Sequence, residues 1–278
     1  MVYSHWGLRE SPYAAGIDPR AFYQGSNHEE SLARLHFLVD QPRRVGLLLG
    51  DSGVGKSLLL EVFGQQKRSA TRQVASLSLL GIAPTEFLWQ LCVRLGRDLP
   101  LTDSIFQLWR SVSDQLRENR YQQTSTVLLL DDADEAESEV LVQVARLAQA
   151  DPSPAARLTI VLAAQARRLG NLGRRLLELA DLRIDLEPWS ESDTMSYLRW
   201  ALVQAGRTQP TFTPDALRHI HLLAAGVPRR VKQLADMALV AGAGNELDLI
   251  DVDVVESVYQ ELGVVLTRSL ELGTSRSL

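Results

Sequence analysis

The stretch Leu47–Phe63, LLLGDSGVGKSLLLEVF, constrains the fold more than any other part of the chain. An apolar run stops at Gly50, glycine returns at Gly53 and Gly55, and Lys56 and Ser57 lead into a second apolar run with helical spacing. Gly50, Gly55, Lys56 and Ser57 satisfy G-x-x-x-x-G-K-[ST] between a predicted strand and a predicted helix, the context in which this pattern binds phosphate. Glycines at 50, 53 and 55 admit backbone conformations closed to other residues. The amides from Gly50 through Asp51, Ser52, Gly53, Val54 and Gly55 to Lys56, Ser57 and Leu58 can then close around an anion at the positive end of the helix. Lys56 would reach the β- and γ-phosphates and the Ser57 hydroxyl would ligate Mg²⁺. A glycine-rich turn can match the bare pattern by chance, but the strand-loop-helix setting favours a nucleoside triphosphate.

A phosphate loop needs a carboxylate for the metal, and TSTVLLLDDADEA supplies one about 75 residues downstream of Lys56. Four apolar residues, Val127 to Leu130, end in Asp131 and Asp132 at the tip of a buried strand, where a ligand crevice would lie. Asp131 is expected on the metal side. Asp132, taken to lie on the other face of the strand, would orient or deprotonate the attacking water. Alone, two acids at a strand end would read as a solvated turn.

The rest of the chain fits an α/β fold, a parallel sheet with helices on both faces, followed by a small all-helical domain. Continuous apolar strands at RVGLLLG, RQVASLSLL, STVLLLDD, RLTIVLAAQ and DLRIDLEPW alternate with helical patterns. These include one capped by Ser26 and running to about Asp40, and an arginine-rich one after Gln165. After Trp189 only helical patterns follow. The expected division is an ordered arm over 1–24, the α/β domain over 25–188, a helical lid over 189–262 and a tail over 263–278.

Composition narrows the function classes. The 278 residues carry a net charge of −5, which argues against a surface built throughout for nucleic acid. Lysine occurs only at Lys56, Lys67 and Lys232. The single cysteine, Cys92, excludes an internal disulfide and a cysteine metal cluster, and points to a reducing compartment and a core position. No apolar run approaches the ~18 residues of a membrane span, and MVYSHWGLRE lacks a signal-peptide layout. A cytoplasmic location is expected.

Taken together, WGLRESPY, DPRAFYQGSNHEESLARL, GDSGVGKS, LLLDDADEA, RLTIVLAAQ and FTPDALRHIHLLAAGVPRRVKQLADMAL resemble the AAA+ ATPases of the general secretion pathway protein A (ExeA-like) group, a group also similar to the ATPases that help transposases choose targets. The resemblance runs from about residue 5 to 260, and GVPRR in a helical lid is what points to AAA+. It implies a Mg²⁺-dependent ATPase, oligomeric when ATP is bound, that drives or gates assembly of a secretion or envelope-export system. The alternative it implies is a slow ATP switch or scaffold acting on DNA. Gln165 takes the place of the first sensor and Arg229 that of the second, while Tyr23 and His28 fall in the segment lining the adenine pocket.

Two departures from the family pattern matter. Asp132 replaces the usual glutamate, so hydrolysis is expected to be slow. Leu179 occupies the usual place of the arginine finger, with Arg174, Arg175 and Arg183 as nearby candidates. Secretion members often continue into a membrane span, and the chain ends before one, so an export role would call for a separate membrane-anchored partner. The tail LGVVLTRSLELGTSRSL would be a docking segment or simply disordered. DNA is the less favoured partner, with RSATR, QARRLGNLGRR and GVPRRVK as the available basic clusters.

Overall fold

The computed structural model describes residues 2–14, 16–41, 43–98, 100, 104–151 and 157–262. The tail beyond 262, assigned above to docking or disorder, lies outside the described residues. The chain forms two compact units: one holds 17–187, the other 1–16 together with 188 onward.

The first unit is built on five strands, β1 (Val45–Leu49), β2 (Arg72–Ser78), β3 (Ser125–Asp131), β4 (Leu158–Ala164) and β5 (Leu182–Asp185). They lie in the order β2-β3-β4-β1-β5, and every pairing is parallel. Helices α2 (Ser26–Asp40) and α3 (Lys56–Lys67) cover one face, while α4 (Pro84–Arg94), α5 (Ile105–Tyr121), α6 (Ser138–Ala148) and the short α7 (Gly173–Glu178) cover the other. Alternation along each strand explains the double burial. Leu128 and Leu130 pack under α4–α7, whereas Val127 and Leu129 pack under α2 and α3. Cys92 is a buried member of the α4–α7 core.

Two local readings need correction. Ser26 does not cap α2; it is the first helical residue after Gly25, and no side chain caps that end. The arginine-rich segment is not one helix. It runs as a 3-10 turn over Ala166–Leu172, breaks at Gly173 (φ +75°), and only then forms the six-residue α7.

The second unit contains α1 (Val2–Trp6), α8 (Glu191–Gln204), α9 (Pro214–Ala224), α10 (Pro228–Gly244) and α11 over 252–262. Ser190 and Asp193 form a reciprocal capping box at α8, and Thr213 caps α9 with Pro214 in its first turn. The N-terminal segment is part of this core. Buried Trp6 donates from Nε1 to the Leu239 carbonyl at 2.9 Å, and the Tyr13 hydroxyl donates to the Leu198 carbonyl at 2.9 Å.

Candidate functional site

The site assembles where the parallel strands of the 17–187 unit end. β1 sits between β4 and β5, so the loop leaving it at Gly50 is gripped from both sides. The Gly50 N–H donates to the Ala164 carbonyl at 3.2 Å, and the Leu186 N–H donates to the Leu49 carbonyl at 2.7 Å. Gly50 serves by close approach and not by unusual φ: a Cβ there would stand 2.6 Å from the Leu186 carbonyl oxygen. Gly53 and Gly55 supply the left-handed conformations, with φ of +86° and +107°. Gly55 is the N-cap of α3 and no side chain caps that helix end, so its first amides are left for a ligand.

Lys56 curls back over the loop. Its Nζ donates to the carbonyls of Gly50 (2.8 Å) and Asp51 (3.1 Å). Burial pushes its pKa down, opposed by the nearby charges of Asp131, Asp134, Asp132 and Asp51. A phosphate arriving there would meet a cation already partly desolvated. Ser57, one residue on, hydrogen-bonds the Asp131 carboxylate across from the tip of β3. The Asp131 carboxyl sits above its ordinary pKa, chiefly from burial and then from its neighbour Asp132, with the Ser57 hydrogen bond opposing.

One hydroxyl beside one half-desolvated carboxylate is a donor set suited to Mg²⁺, which binds through one or two protein oxygens and keeps the rest of its shell for water and phosphate. A cation there would also relieve the burial cost on Asp131. The fit is therefore good: Ser57 and Asp131 would hold the metal.

Asp132 does not lie on the opposite face of β3. The strand ends at Asp131, and Asp132 turns left-handed (φ +52°, ψ +37°) at the start of a 3-10 turn, Ala133–Glu135. Its Oδ2 accepts from the Ser78 hydroxyl at the end of β2 at 2.9 Å, and its N–H donates to Asp131 Oδ1 at 2.9 Å. Aspartate and asparagine tolerate this backbone region better than other side chains, which gives a local reason for the second aspartate.

Two participants escaped the sequence reading. One is Ser78. The other is Asp134, whose side chain is 3% exposed; Oδ1 accepts from the Gln165 N–H at 3.1 Å and its backbone carbonyl accepts from Asn171 Nδ2 at 3.0 Å. Asp134 Oδ2 is buried without a hydrogen bond, 3.9 Å from Arg168 Nη1, while Arg168 itself pairs with Glu135. The only sequence signal for Asp134 was a third acid three residues past the end of the strand.

The other expected residues divide. Gln165 follows β4, the strand between β1 and β3, so its segment stands between the loop and Asp131. Buried His28 backs the loop, its Nε2 3.0 Å from where a Cβ on Gly55 would stand, and its ring meets Phe22 edge-on at 5.7 Å. Tyr23 is half-buried and its carbonyl accepts from the Gly25 N–H at 3.1 Å. The arginine-finger candidates have local engagements: Arg174 with Glu178, Arg175 with Gln149, and Arg183 bidentate to Asp185 on β5. Leu179 packs against the core just after α7. Arg229 is exposed near the start of α10 in the helical unit.

Residues 39–172 match the family model described as an AAA domain. The chain is 27% identical over 269 residues to the general secretion pathway protein A of Aeromonas hydrophila, an alignment covering 95% of this chain and 49% of that protein. It therefore spans about half the length of this curated relative. Among solved structures, the Aeropyrum pernix ORC2 protein in its ADPNP-ADP complexes matches with a TM-score of 0.66 and 17% identity, covering 91% of this chain and 71% of that one. Drosophila ORC bound to DNA matches with a TM-score of 0.69 and 17% identity, covering 91% and 64%. At that identity the likeness extends to the fold, an AAA+ fold.

Proposed function

We propose that this chain, which carries an AAA domain and is related along nearly its whole length to general secretion pathway protein A, is a Mg²⁺-dependent ATPase that self-assembles and uses its nucleotide state to drive or gate assembly of a secretion or envelope-export system. The observation that supports the reading best is the junction of Lys56, Ser57 and Asp131. A lysine in a glycine loop, a hydroxyl opening a helix and a buried strand-end carboxylate converge there.

In this reading the uncapped amides at the start of α3 and the Lys56 ammonium bind the β- and γ-phosphates. Ser57 and Asp131 hold Mg²⁺, which neutralises charge on the phosphate oxygens. Asp132 orients or accepts a proton from the attacking water, after leaving the Ser78 hydroxyl that engages its Oδ2. Gln165 monitors the γ-phosphate from the end of β4, held by Asp134 through its backbone N–H. Arg229 reports nucleotide state to the helical unit, and an arginine from a neighbouring subunit completes the site. A finger acting across subunits contributes ~10³ to 10⁵ in rate in related chemistry, so an isolated subunit turns over slowly. A separate membrane-anchored protein is the expected partner of the assembly, and the location proposed is cytoplasmic, peripheral to the inner membrane through that partner. No helix among the described residues is long and apolar enough to cross a membrane.

Calorimetry tests the reading. Lys56→Ala is expected to abolish Mg²⁺-ATP binding, and Ser57→Ala to weaken the Mg²⁺ dependence more than the binding itself. Unchanged ATP affinity in Lys56→Ala would refute the phosphate site.

A further inference from the structure

An aspartate inside a phosphate-binding loop calls for an explanation. Asp51 directly follows Gly50, its side chain is 58% exposed, and its charge acts on Lys56, the cation that would meet the phosphates. Asp131, Asp132 and Asp134 act on the same ammonium, so Asp51 adds a further negative charge where a polyanion is to bind. Mg²⁺ held by Ser57 and Asp131 would offset Asp131. Asp51 stands on the other side of the lysine in sequence and is no part of that donor pair.

A counter-charge arrives from another strand. β4 ends beside β1, where the Gly50 N–H donates to the Ala164 carbonyl, and the chain then passes through Gln165 into the 3-10 turn Ala166–Leu172. From that turn Arg167 reaches back to the loop, its Nη2 3.6 Å from Asp51 Oδ1, and this is the one ion pair of Asp51 among the described residues. The turn is tied down on its other side. Arg168 pairs with Glu135, the Gln165 N–H donates to Asp134 Oδ1, and Asn171 Nδ2 donates to the Asp134 carbonyl. Two consecutive arginines thus serve two different loops, Arg167 the one after β1 and Arg168 the one after β3.

We propose that Arg167 is a positioning residue for the nucleotide: it holds and neutralises the Asp51 carboxylate, so that the loop presents Lys56 and its amides to a triphosphate without a bare acid beside them. The proposal rests on the phosphate-site reading above and assigns what sets the preference of that site among nucleotides. With Arg167 69% and Asp51 58% exposed, the pair contributes little to folding, and its effect falls on the ligand. A bare Asp51 repels a nucleotide in proportion to the charge the nucleotide carries, so losing Arg167 weakens ATP more than ADP. Salt screens the same repulsion and shrinks the difference. The pair also joins the phosphate loop to the segment that follows Gln165, so Arg167 keeps its place on Asp51 only while that segment stays seated on Asp134 and Glu135.

A double-mutant cycle on the full chain tests this, with Mg²⁺-ATP and Mg²⁺-ADP affinities measured by calorimetry at two salt concentrations. Arg167→Ala is expected to weaken ATP about tenfold and ADP about threefold, less at high salt, with an unchanged melting temperature. Asp51→Asn is expected to bind ATP at least as tightly as wild type, and adding Arg167→Ala to Asp51→Asn to cost under about twofold, because the charge that Arg167 answers is gone. Arg167→Lys, which keeps the cation, is expected to recover most of the lost affinity. A tenfold loss that persists in the Asp51→Asn background would overturn the proposal, since Arg167 would then act on phosphate directly or on the fold. Equal losses for ATP and ADP, or wild-type ATP affinity in Arg167→Ala, would overturn it as well. The phosphate-site reading keeps its own control: if Lys56→Ala abolishes ATP binding while Arg167→Ala leaves it untouched, only the role of Arg167 falls, whereas wild-type affinity in Lys56→Ala brings down the site itself.

Discussion

Asp132 is where a single side chain carries both a conformational and a chemical load, and the two can be separated. Its backbone is left-handed, a region that costs an ordinary L-residue about 1–2 kcal/mol and aspartate or asparagine less. Its carboxylate accepts from Ser78, an interaction of about 0.5–1.5 kcal/mol. Asp132→Asn keeps the backbone preference and an oxygen for Ser78 but loses the base, so thermal stability should stay within ~0.5 kcal/mol of wild type. Phosphate release should fall by about 10²-fold or more, the usual contribution of a positioned acid-base group. ATP binding should persist, because Ser57 and Asp131 are intact. Asp132→Glu reverses the bargain. The longer side chain reaches further toward a phosphate-bound water and raises turnover, since ~1 Å of misplacement costs about 10²-fold. The lost conformational preference lowers stability by up to about 1 kcal/mol, a melting shift of ~2–4 °C. The assays are steady-state phosphate release at concentrations that permit assembly, ATP calorimetry and thermal melts. Equal turnover in wild type, Asp132→Asn and Asp132→Glu would show that Asp132 does not act on water and would turn attention to Glu135.

Three further outcomes are expected. Burial raises the Asp131 pKa in the nucleotide-free fold, so the ionised carboxylate destabilises that fold at neutral pH, and the penalty fades as pH falls through the raised value toward the ordinary 3.8. Asp131→Asn should therefore raise the metal-free melting temperature at pH 7, with the gain shrinking near pH 4; a gain independent of pH would contradict the burial argument. Asp134→Ala leaves the Gln165 N–H without its acceptor and should destabilise the protein by about 1–3 kcal/mol in urea titrations, while Asp134→Asn, which keeps an acceptor, should cost less. The nucleotide-free protein should not retain duplex DNA tightly at physiological salt. Nanomolar binding that weakens steeply with salt would favour the DNA-scaffold role over secretion.

What the sequence revealed and what it concealed follow a physical division. The parallel strands could be read because burial on both faces leaves uninterrupted runs such as Val127–Leu130, and the loop could be read because its chemistry is local. The conformation of Asp132 could not, because periodicity says where a strand is apolar but not where its backbone turns left-handed. Ser78 and Asp134 stayed hidden for a related reason. Their roles depend on partners brought together by the sheet: Ser78 on β2 beside Asp132 after β3, and Asp134 against Gln165 after β4. The misplaced cap at Ser26 has a smaller cause, since Ser26 sits one position inside the helix it was read as capping. The break at Gly173 was visible as a glycine, yet the arginines around it looked helical in isolation.

The strand order also sets a timetable for the nascent chain. β1 is made first, but it pairs only with β4 and β5, Val45 against Ile160 and Gly46 against Leu182. By contrast, β2, β3 and β4 can join one another as they emerge. The first strand must therefore wait until β4, more than 100 residues later, has been made; it joins the edge of β4, and β5 then pairs along its other side. Such late closure of distant segments is slow and favours chaperone capture. The glycine loop hangs from the end of that late-seated strand and is flanked by the ends of both β4 and β5, so nucleotide cannot be gripped until both are paired with it. Ribosome-stalled chains ending before residue 182 should hold no ATP, and those long enough to free β5 from the exit tunnel should begin to.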